Sequence, residues 1–537
     1  MTDLKLKVTM DLSVVLVVGF CFVLLGNGVQ SDRDDKKLQS LPQDQPYRTG
    51  YHFQPPKNWM NGPMYYKGVY HLFYQYNPYA AVWGTITWAH SISYDLVNWI
   101  HLDIALSPDD PFDINGCWSG STTFLSGGKP VILYTGGVTM NRQVQNLAEP
   151  KNLSDPMLRE WVKSSHNPII THVDGMDSEN FRDPTTAWQG PDGLWRVLVG
   201  NEMNSHGRAL LYRISLDGKN GVDTSSLEKF TKHVLKASFD SSDHYVLGNY
   251  TTVTDNFSVD TDFLENGSDL RYDYGNFYAS KTFFDSAKKR RILWAWIQES
   301  DSTTDDIKKD WSGLQSFPRS ILLSKTGKQL IQWPVEEIEK QRTVNVSFKN
   351  KELKGGSADV EVSFNSSNLK EADLLDPSWV DPQLLCSQKT ASVGGNIGPF
   401  GILALASKDL TEQTSIFFRV FRSNDKYVVL MCSDQSRSSL EEGLKKTIYG
   451  AFIDIDPLNE MISLRSLIDH SIVESFGGEG RACITARVYP KLAIDNQAYL
   501  YAFNNGTFDV NISTLNAWSM KKAQIVSFTK RRKPHLN

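Results

Sequence analysis

Among the acidic residues, Asp183 stands out by its setting, in the run Phe181, Arg182, Asp183, Pro184. A carboxylate so placed either accepts hydrogen bonds from a hydroxyl-rich ligand or forms the turn that commonly precedes proline. Trp59, Met60 and Asn61 stand in one block, and Gln75, Trp83, Trp118 and Ser119 add further aromatic and polar side chains downstream. An indole face packs in a sheet core as readily as on a sugar ring, so both readings stay open for each tryptophan. Asp240 and Asp243 make a second acidic patch, and Glu202 lies upstream of it. No CxxC pair or histidine-rich spacing suggests a metal site, and a protein without metal or cofactor is expected.

The elements that must position these residues read as strands. From Pro46 to about Glu336, short β-type runs such as 69–74, 131–135, 195–200 and 291–296 alternate with turn residues. That spacing fits a sandwich, barrel or propeller. Residues 335–342 carry helix-forming charges and read as a linker. Alternating runs at 358–364, 415–421, 427–431 and 482–488 follow, as in an antiparallel sandwich. No clean internal repeat is visible, which neither supports nor excludes diverged propeller blades.

Composition narrows the class. The 537 residues, 40% hydrophobic and 22% charged, suit two or more globular domains, and a net charge of −5 argues against a nucleic-acid surface. Lys5 and Lys7 precede an apolar run from Leu12 to Leu25 and then small and polar residues, which marks residues 1–30 as a signal peptide. The run is shorter than the ~20 residues of a spanning helix, so no membrane anchor is expected. Eight Asn-x-Ser/Thr sequons, at Asn152, Asn249, Asn256, Asn266, Asn345, Asn365, Asn505 and Asn511, agree with a secretory route. Once Cys21 leaves with the signal, Cys117, Cys386, Cys432 and Cys483 remain, and their spacing alone fixes no pairing.

The longest informative block runs from His52, Phe53, Gln54 through Trp59, Met60, Asn61, Gly62 to His71 and Gln75, Tyr76, Asn77, Pro78. It closely resembles the opening motif of glycoside hydrolase family 32, whose plant members include cell-wall invertases and fructan exohydrolases. Further motifs follow in the family's order: Trp88 to Ser91, Cys117 to Ser121, Glu149 to Pro156, Phe181 to Pro184, Arg271 to Gly275, Ser280 to Phe283 and Leu467 to Phe476. The resemblance covers essentially the whole mature chain. It implies an all-β fold, with a five-bladed β-propeller over 46–336 followed by a β-sandwich over 343–537. It implies a small sugar, sucrose or fructan, as the partner, and a disulfide between Cys386 and Cys432. By the same resemblance Asp183 stabilises the transition state, while Trp59, Met60, Asn61, Gln75, Trp83, Trp118, Ser119, Arg182 and Asp240 fall at substrate contacts, with Asp243 where a lysine is expected.

Retaining hydrolysis of a fructofuranosyl bond needs a nucleophilic carboxylate and an acid about 5–5.5 Å apart. In the family the nucleophile is the Asp of Trp-Met-Asn-Asp-Pro-Asn-Gly, but here Asn61 runs directly into Gly62. The acid/base is the Glu of a Trp-Glu-Cys-Pro-Asp-type sequence, but here Arg213 passes straight into Ile214, and a stretch of roughly thirty residues, most of a ~40-residue blade, is missing. Neither role can be assigned to a residue of this chain, and one blade is expected to be truncated. The sequence therefore reads as a sucrose-cleaving invertase-type scaffold predicted to be inactive unless the sequence is an incomplete product of a gene for an active enzyme, as a skipped or missed small exon would give. The alternatives are a fructan exohydrolase and a non-catalytic fructoside-binding relic. The leader and sandwich point to the apoplast and cell wall, with cell-wall polysaccharide as a further partner.

Overall fold

The computed structural model describes residues 45–55, 62–138, 142–172, 177–203, 206–216, 232–239, 241–260, 270–347, 355–424 and 426–527. The leader, Trp59, Met60, Asn61, Asp240 and Asn266 lie outside the described residues.

The chain is all-β, a propeller followed by a sandwich. Five antiparallel sheets follow one another along the first part of the chain. The first holds Pro63–Tyr66, Val69–Tyr76, Thr87–Ser93 and Trp99–His101; the second runs from Cys117–Leu125 to Trp161–Lys163. All eight residues of Val69–Tyr76 are buried, as befits a strand covered on both faces by neighbouring sheets. Gly62 enters the first strand at φ 106°, where a Cβ would come within 2.9 Å of the Trp88 ring, so this turn requires glycine.

The third sheet (Trp188–Gln189, Trp195–Met203, His206–Ile214) and the fourth (His233–Phe239, Ser242–Thr251, Asn256–Val259) have three strands each among the described residues. Among the described residues, the shortfall expected of one blade thus falls on two adjacent sheets. His206–Ile214 runs unbroken through the Arg213 to Ile214 junction, with Arg213 opposite Arg196 and Ile214 opposite Trp195. The edge strands of these two sheets, His206–Ile214 and His233–Phe239, are largely exposed. One buried carboxylate clamps the two sheets: Asp255 accepts from Arg196 Nε at 3.1 Å and from Arg213 Nε at 2.7 Å. The fifth sheet, Tyr278–Asp285 to Leu330–Pro334, packs its first strand against Pro63–Tyr66 and closes the ring.

A short helical turn, Glu336–Gln341, leads into two six-stranded sheets whose facing apolar residues form the sandwich core. The Cys386–Cys432 disulfide is formed. Residues Ile525–Ser527, which the 343–537 boundary gives to the sandwich, instead pair in parallel with Trp99–His101 in the first propeller sheet.

A buried ionic chain joins the domains. Asp469 accepts from the backbone N–H groups of Gly50, Tyr51 and His52 at 2.6, 2.8 and 2.9 Å, and its Oδ2 lies 3.0 Å from His52 Nδ1. Glu474 accepts from the Phe317 N–H and from Arg319, whose Nη2 is also 2.9 Å from Asp273 Oδ2. Arg319, Asp273, Glu474, Asp469 and His52 are all essentially inaccessible to solvent. Removing one partner of such a set strands a buried charge, at a cost of about 3–5 kcal/mol. Arg319→Met is accordingly expected to lower unfolding stability by about that amount, read from denaturant titration.

Burial raises the Asp469 carboxyl, but hydrogen bonds from His470 and His52 outweigh it and hold Asp469 well below the usual range. Burial works against the His52 imidazolium, but Asp469 and Glu474 prevail and raise its pKa. The Asp469 contribution is present above about pH 4 and is lost as acid protonates it; the His52 contribution is complete below about pH 6.5 and is lost as pH rises through its elevated pKa. Thermal stability is therefore expected to be highest between about pH 4 and 6.5. Melting curves across pH check this, and His52→Gln should flatten the alkaline limb.

Candidate active site

Side chains from three sheets, with a backbone carbonyl beside a fourth, meet where the propeller axis must lie. Lys281 Nζ of the fifth sheet donates to Ser121 Oγ of the second at 3.2 Å, and Ser121 Oγ donates to Pro184 O beside the third at 2.9 Å. Gln75 Nε2 of the first sheet donates to Ser119 Oγ at 2.9 Å. Blades two and five are not neighbours around a five-bladed ring, so a contact between them is possible only at its centre.

Asp183 is exposed and adopts φ 64°, the left-handed region that costs most non-glycine residues about 1–2 kcal/mol. Its N–H donates to Thr135 Oγ1 at 2.9 Å; Thr135 in turn donates to Gln145 Oε1, and Gln145 Nε2 to Phe181 O at 2.7 Å. A buried hydroxyl and amide thus hold the backbone in this conformation and leave the carboxylate in the open. Arg182 is engaged in its own loop, donating to Glu179 O and Asn180 Oδ1. Trp83, 54% exposed, meets Trp118 edge to face at 5.8 Å, and the Trp118 Nε1–H is shielded from solvent without an acceptor. Together these give exposed indole surface, an amide, hydroxyls and one carboxylate, which can bind a sugar.

Lys281, quoted above only within its motif, is the residue to which sequence reasoning gave no role. Burial lowers its pKa to about 8, with the nearby Lys236 acting in the same direction and the Asp183 and Asp243 charges opposing. No local feature of the sequence marked it, because the groups around it come from other sheets. Asp243 does not occupy a substrate position. It is wholly buried and accepts from the Ala279 and Ser280 N–H groups, Ser238 Oγ and Lys236 Nζ, so its carboxylate is structural. Glu202 is exposed at the end of its strand.

The remaining polar motif residues serve the core. Burial lowers the His71 pKa to about 3 and that of His90 well below the ordinary value, so these stacked rings are neutral. Burial and Asp113 raise the Cys117 thiol, which leaves no reactive thiolate there. Two acidic trios each surround a lysine. Lys163 Nζ lies 2.5, 3.1 and 2.8 Å from Asp109, Asp110 and Asp113, and Lys309 pairs with Glu299, Asp301 and Asp306. Asn152, Asn249, Asn256, Asn345, Asn365, Asn505 and Asn511 are all exposed.

Comparison with known proteins agrees with this architecture. The glycosyl hydrolases family 32 N-terminal domain matches residues 52–221 and 214–334, in two segments that overlap over 214–221, just where His206–Ile214 ends, and the family's C-terminal domain matches 328–519. An insoluble β-fructofuranosidase isoenzyme of Arabidopsis thaliana is 54% identical, with 90% of this chain and 92% of the relative covered. A fructan 6-exohydrolase of Beta vulgaris is 51% identical, covering 91% and 89%. The crystal structure of fructan 1-exohydrolase IIa from Cichorium intybus superposes with a TM-score of 0.85 at 52% identity, covering 91% of this chain and 100% of that one.

The Asp183 charge holds the Lys281 pKa up against burial, so Asp183→Asn should move the lysine midpoint below its value of about 8. NMR titration of the protein with isotopically methylated lysines would reveal the change.

Proposed function

The chain belongs to glycosyl hydrolase family 32, and on that premise we propose that its scaffold is that of a secreted, cell-wall β-fructofuranosidase which, in this form, binds fructosides but does not hydrolyse them. The active counterpart releases terminal β-D-fructofuranosyl units from sucrose with retention of configuration. The observation that carries the reading is the pair of junctions, Asn61 to Gly62 and Arg213 to Ile214, where the nucleophile and the acid/base have no counterpart. Asp183 would stabilise the oxocarbenium-like transition state, while Gln75, Ser119, Trp83 and Trp118 would hold the sugar. Trp59, Met60, Asn61 and Asp240 belong to the same cleft in this proposal, as does Arg182.

Both losses are confined, and the flanking sequence stays in register with the family, as expected of an incomplete product of a gene for an active enzyme. The leader at 1–30, the exposed sequons and the cell-wall relatives support export and N-glycosylation. The fructan exohydrolase reading keeps its place because the exohydrolases are nearly as similar as the invertases. Comparing rates on sucrose, inulin and levan separates the two once activity is restored.

The purified chain is expected to show no sucrose hydrolysis, since loss of the general acid alone removes about 10²–10⁴-fold. Restoring Asp-Pro-Asn after Asn61 together with the longer segment after Arg213 should return activity, whereas either insertion alone should not. Turnover by the unaltered chain would overturn the proposal of inactivity. A native peptide from Trp59 to Lys67 with Asn61 joined to Gly62 would rule out incomplete translation as the cause.

A further inference from the structure

The strand Tyr278–Asp285 carries a β-bulge. Its ladder with Arg290–Ile297 pairs Tyr278 with Trp296 and Lys281 with Trp294, so Ala279 and Ser280 together stand opposite a single residue. Ala279 adopts φ 54°, a left-handed conformation that alanine avoids. Buried Asp243 holds the bulge, accepting from the Ala279 N–H at 3.1 Å and from the Ser280 N–H at 2.5 Å. Lys236 Nζ lies 3.1 Å from the same carboxylate and donates to Ser280 O at 3.1 Å. The extra residue reverses the alternation along the strand, and with it the face on which Lys281 emerges.

Lys281 thereby reaches the propeller axis, where its Nζ donates to Ser121 Oγ at 3.2 Å and the residue keeps part of its surface open. An ammonium has three donors, and among the described residues Ser121 engages one of them while no carboxylate pairs with it. The Asp183 charge acts on Lys281, yet the two form no ion pair, so the gap between them exceeds the ~4 Å of direct contact. A hydroxyl suits such a gap, since its oxygen accepts from the ammonium while its hydrogen donates to the carboxylate. An anionic ligand would be attracted by Lys281 but repelled by Asp183, so the pair favours a neutral sugar.

Resting on the fructoside reading above, we propose that Lys281 is a sugar-binding residue of the axial cleft that shares a ligand hydroxyl with Asp183, and that Asp243 is its positioning residue, acting through the bulge at Ala279. The charged groups that face Lys281 are Asp183 beside the third sheet and Lys236 and Asp243 of the fourth. Burial brings its pKa down to about 8, so the ammonium is present below that pH and is lost above it. Calorimetry of the full chain with sucrose as the probe tests both roles. Sucrose affinity is expected to fall as pH rises through about 8. Lys281→Met should weaken binding about tenfold or more at mildly acidic pH, the loss of a charge-assisted hydrogen bond. Lys281→Arg, which stays charged, should bind without the alkaline fall. Asp243→Asn should weaken binding by a similar factor, and adding Ala279→Gly should recover much of the loss, because glycine takes the left-handed conformation without a clamp. Unchanged affinity in Lys281→Met, or an alkaline fall that persists in Lys281→Arg, would overturn the sugar-binding role while leaving the fructoside reading in place. No sucrose binding by the unaltered chain would overturn that reading and this role with it. Normal binding by Asp243→Asn, or no recovery with Ala279→Gly in a chain that still melts cooperatively, would overturn the positioning role.

Discussion

The rest of the structure depends on the buried charges that tie the propeller's two ends to one face of the sandwich. A propeller closes only if its first and last blades are held together, and here part of that hold comes from the second domain. Asp469 grips the backbone at Gly50, Tyr51 and His52, just ahead of the first sheet, while Glu474 grips Phe317 and Arg319 in the fifth. The two acids stand five residues apart on either side of one tight turn, so both ends of the ring are fixed to a single rigid hairpin. Burying five ionisable groups is expensive, and the arrangement persists because nearly every charge has a partner of opposite sign within hydrogen-bonding distance. The C-terminal strand adds a second tie by returning to the first sheet.

This clamp explains why the side chains at the propeller axis stay assembled beside two three-stranded sheets. Gln75, Ser119, Ser121 and Lys281 come from the first, second and fifth sheets, the part of the ring on which the sandwich acts. The deficit falls opposite, between the third and fourth sheets, where Asp255 with its two arginines provides a local join of the same kind. Edges such as His206–Ile214 and His233–Phe239, exposed on the gap, are otherwise a liability for edge-to-edge association. Their charged residues, Arg208, Arg213 and Lys236, temper it.

The sheet-rich architecture was legible because alternating runs and turn residues report burial directly, and the division near residues 335–342 was marked by a change in local composition. Partners were less legible. Asp243 and Asp183 look alike in sequence, each an acid near a turn, but one is wholly enclosed by donors and the other is held out by a left-handed backbone. Nothing local separates them, since the donors for Asp243 come from residues 236–238 and 279–280 and the brace behind Asp183 from Thr135 and Gln145. Lys281 escaped for the same reason: its environment is made by three other blades. The two trios of acids drew no notice in sequence, and only the fold shows Lys163 and Lys309 at their centres.

The same geometry changes what motif resemblance means in this chain. Three of the stretches that carry the resemblance, around His52, Asp273 and Asp469 to Glu474, are the residues of the interdomain clamp. They report that the fold is assembled, and would do so equally in a chain that hydrolyses nothing. Catalysis depends instead on two carboxylates whose motifs can be absent while the residues of the clamp remain. A buried ion pair constrains the whole fold, whereas a nucleophile constrains only the few ångströms around the bond it breaks. Similarity across these motifs therefore establishes the scaffold and leaves turnover to be decided at Asn61 and Arg213.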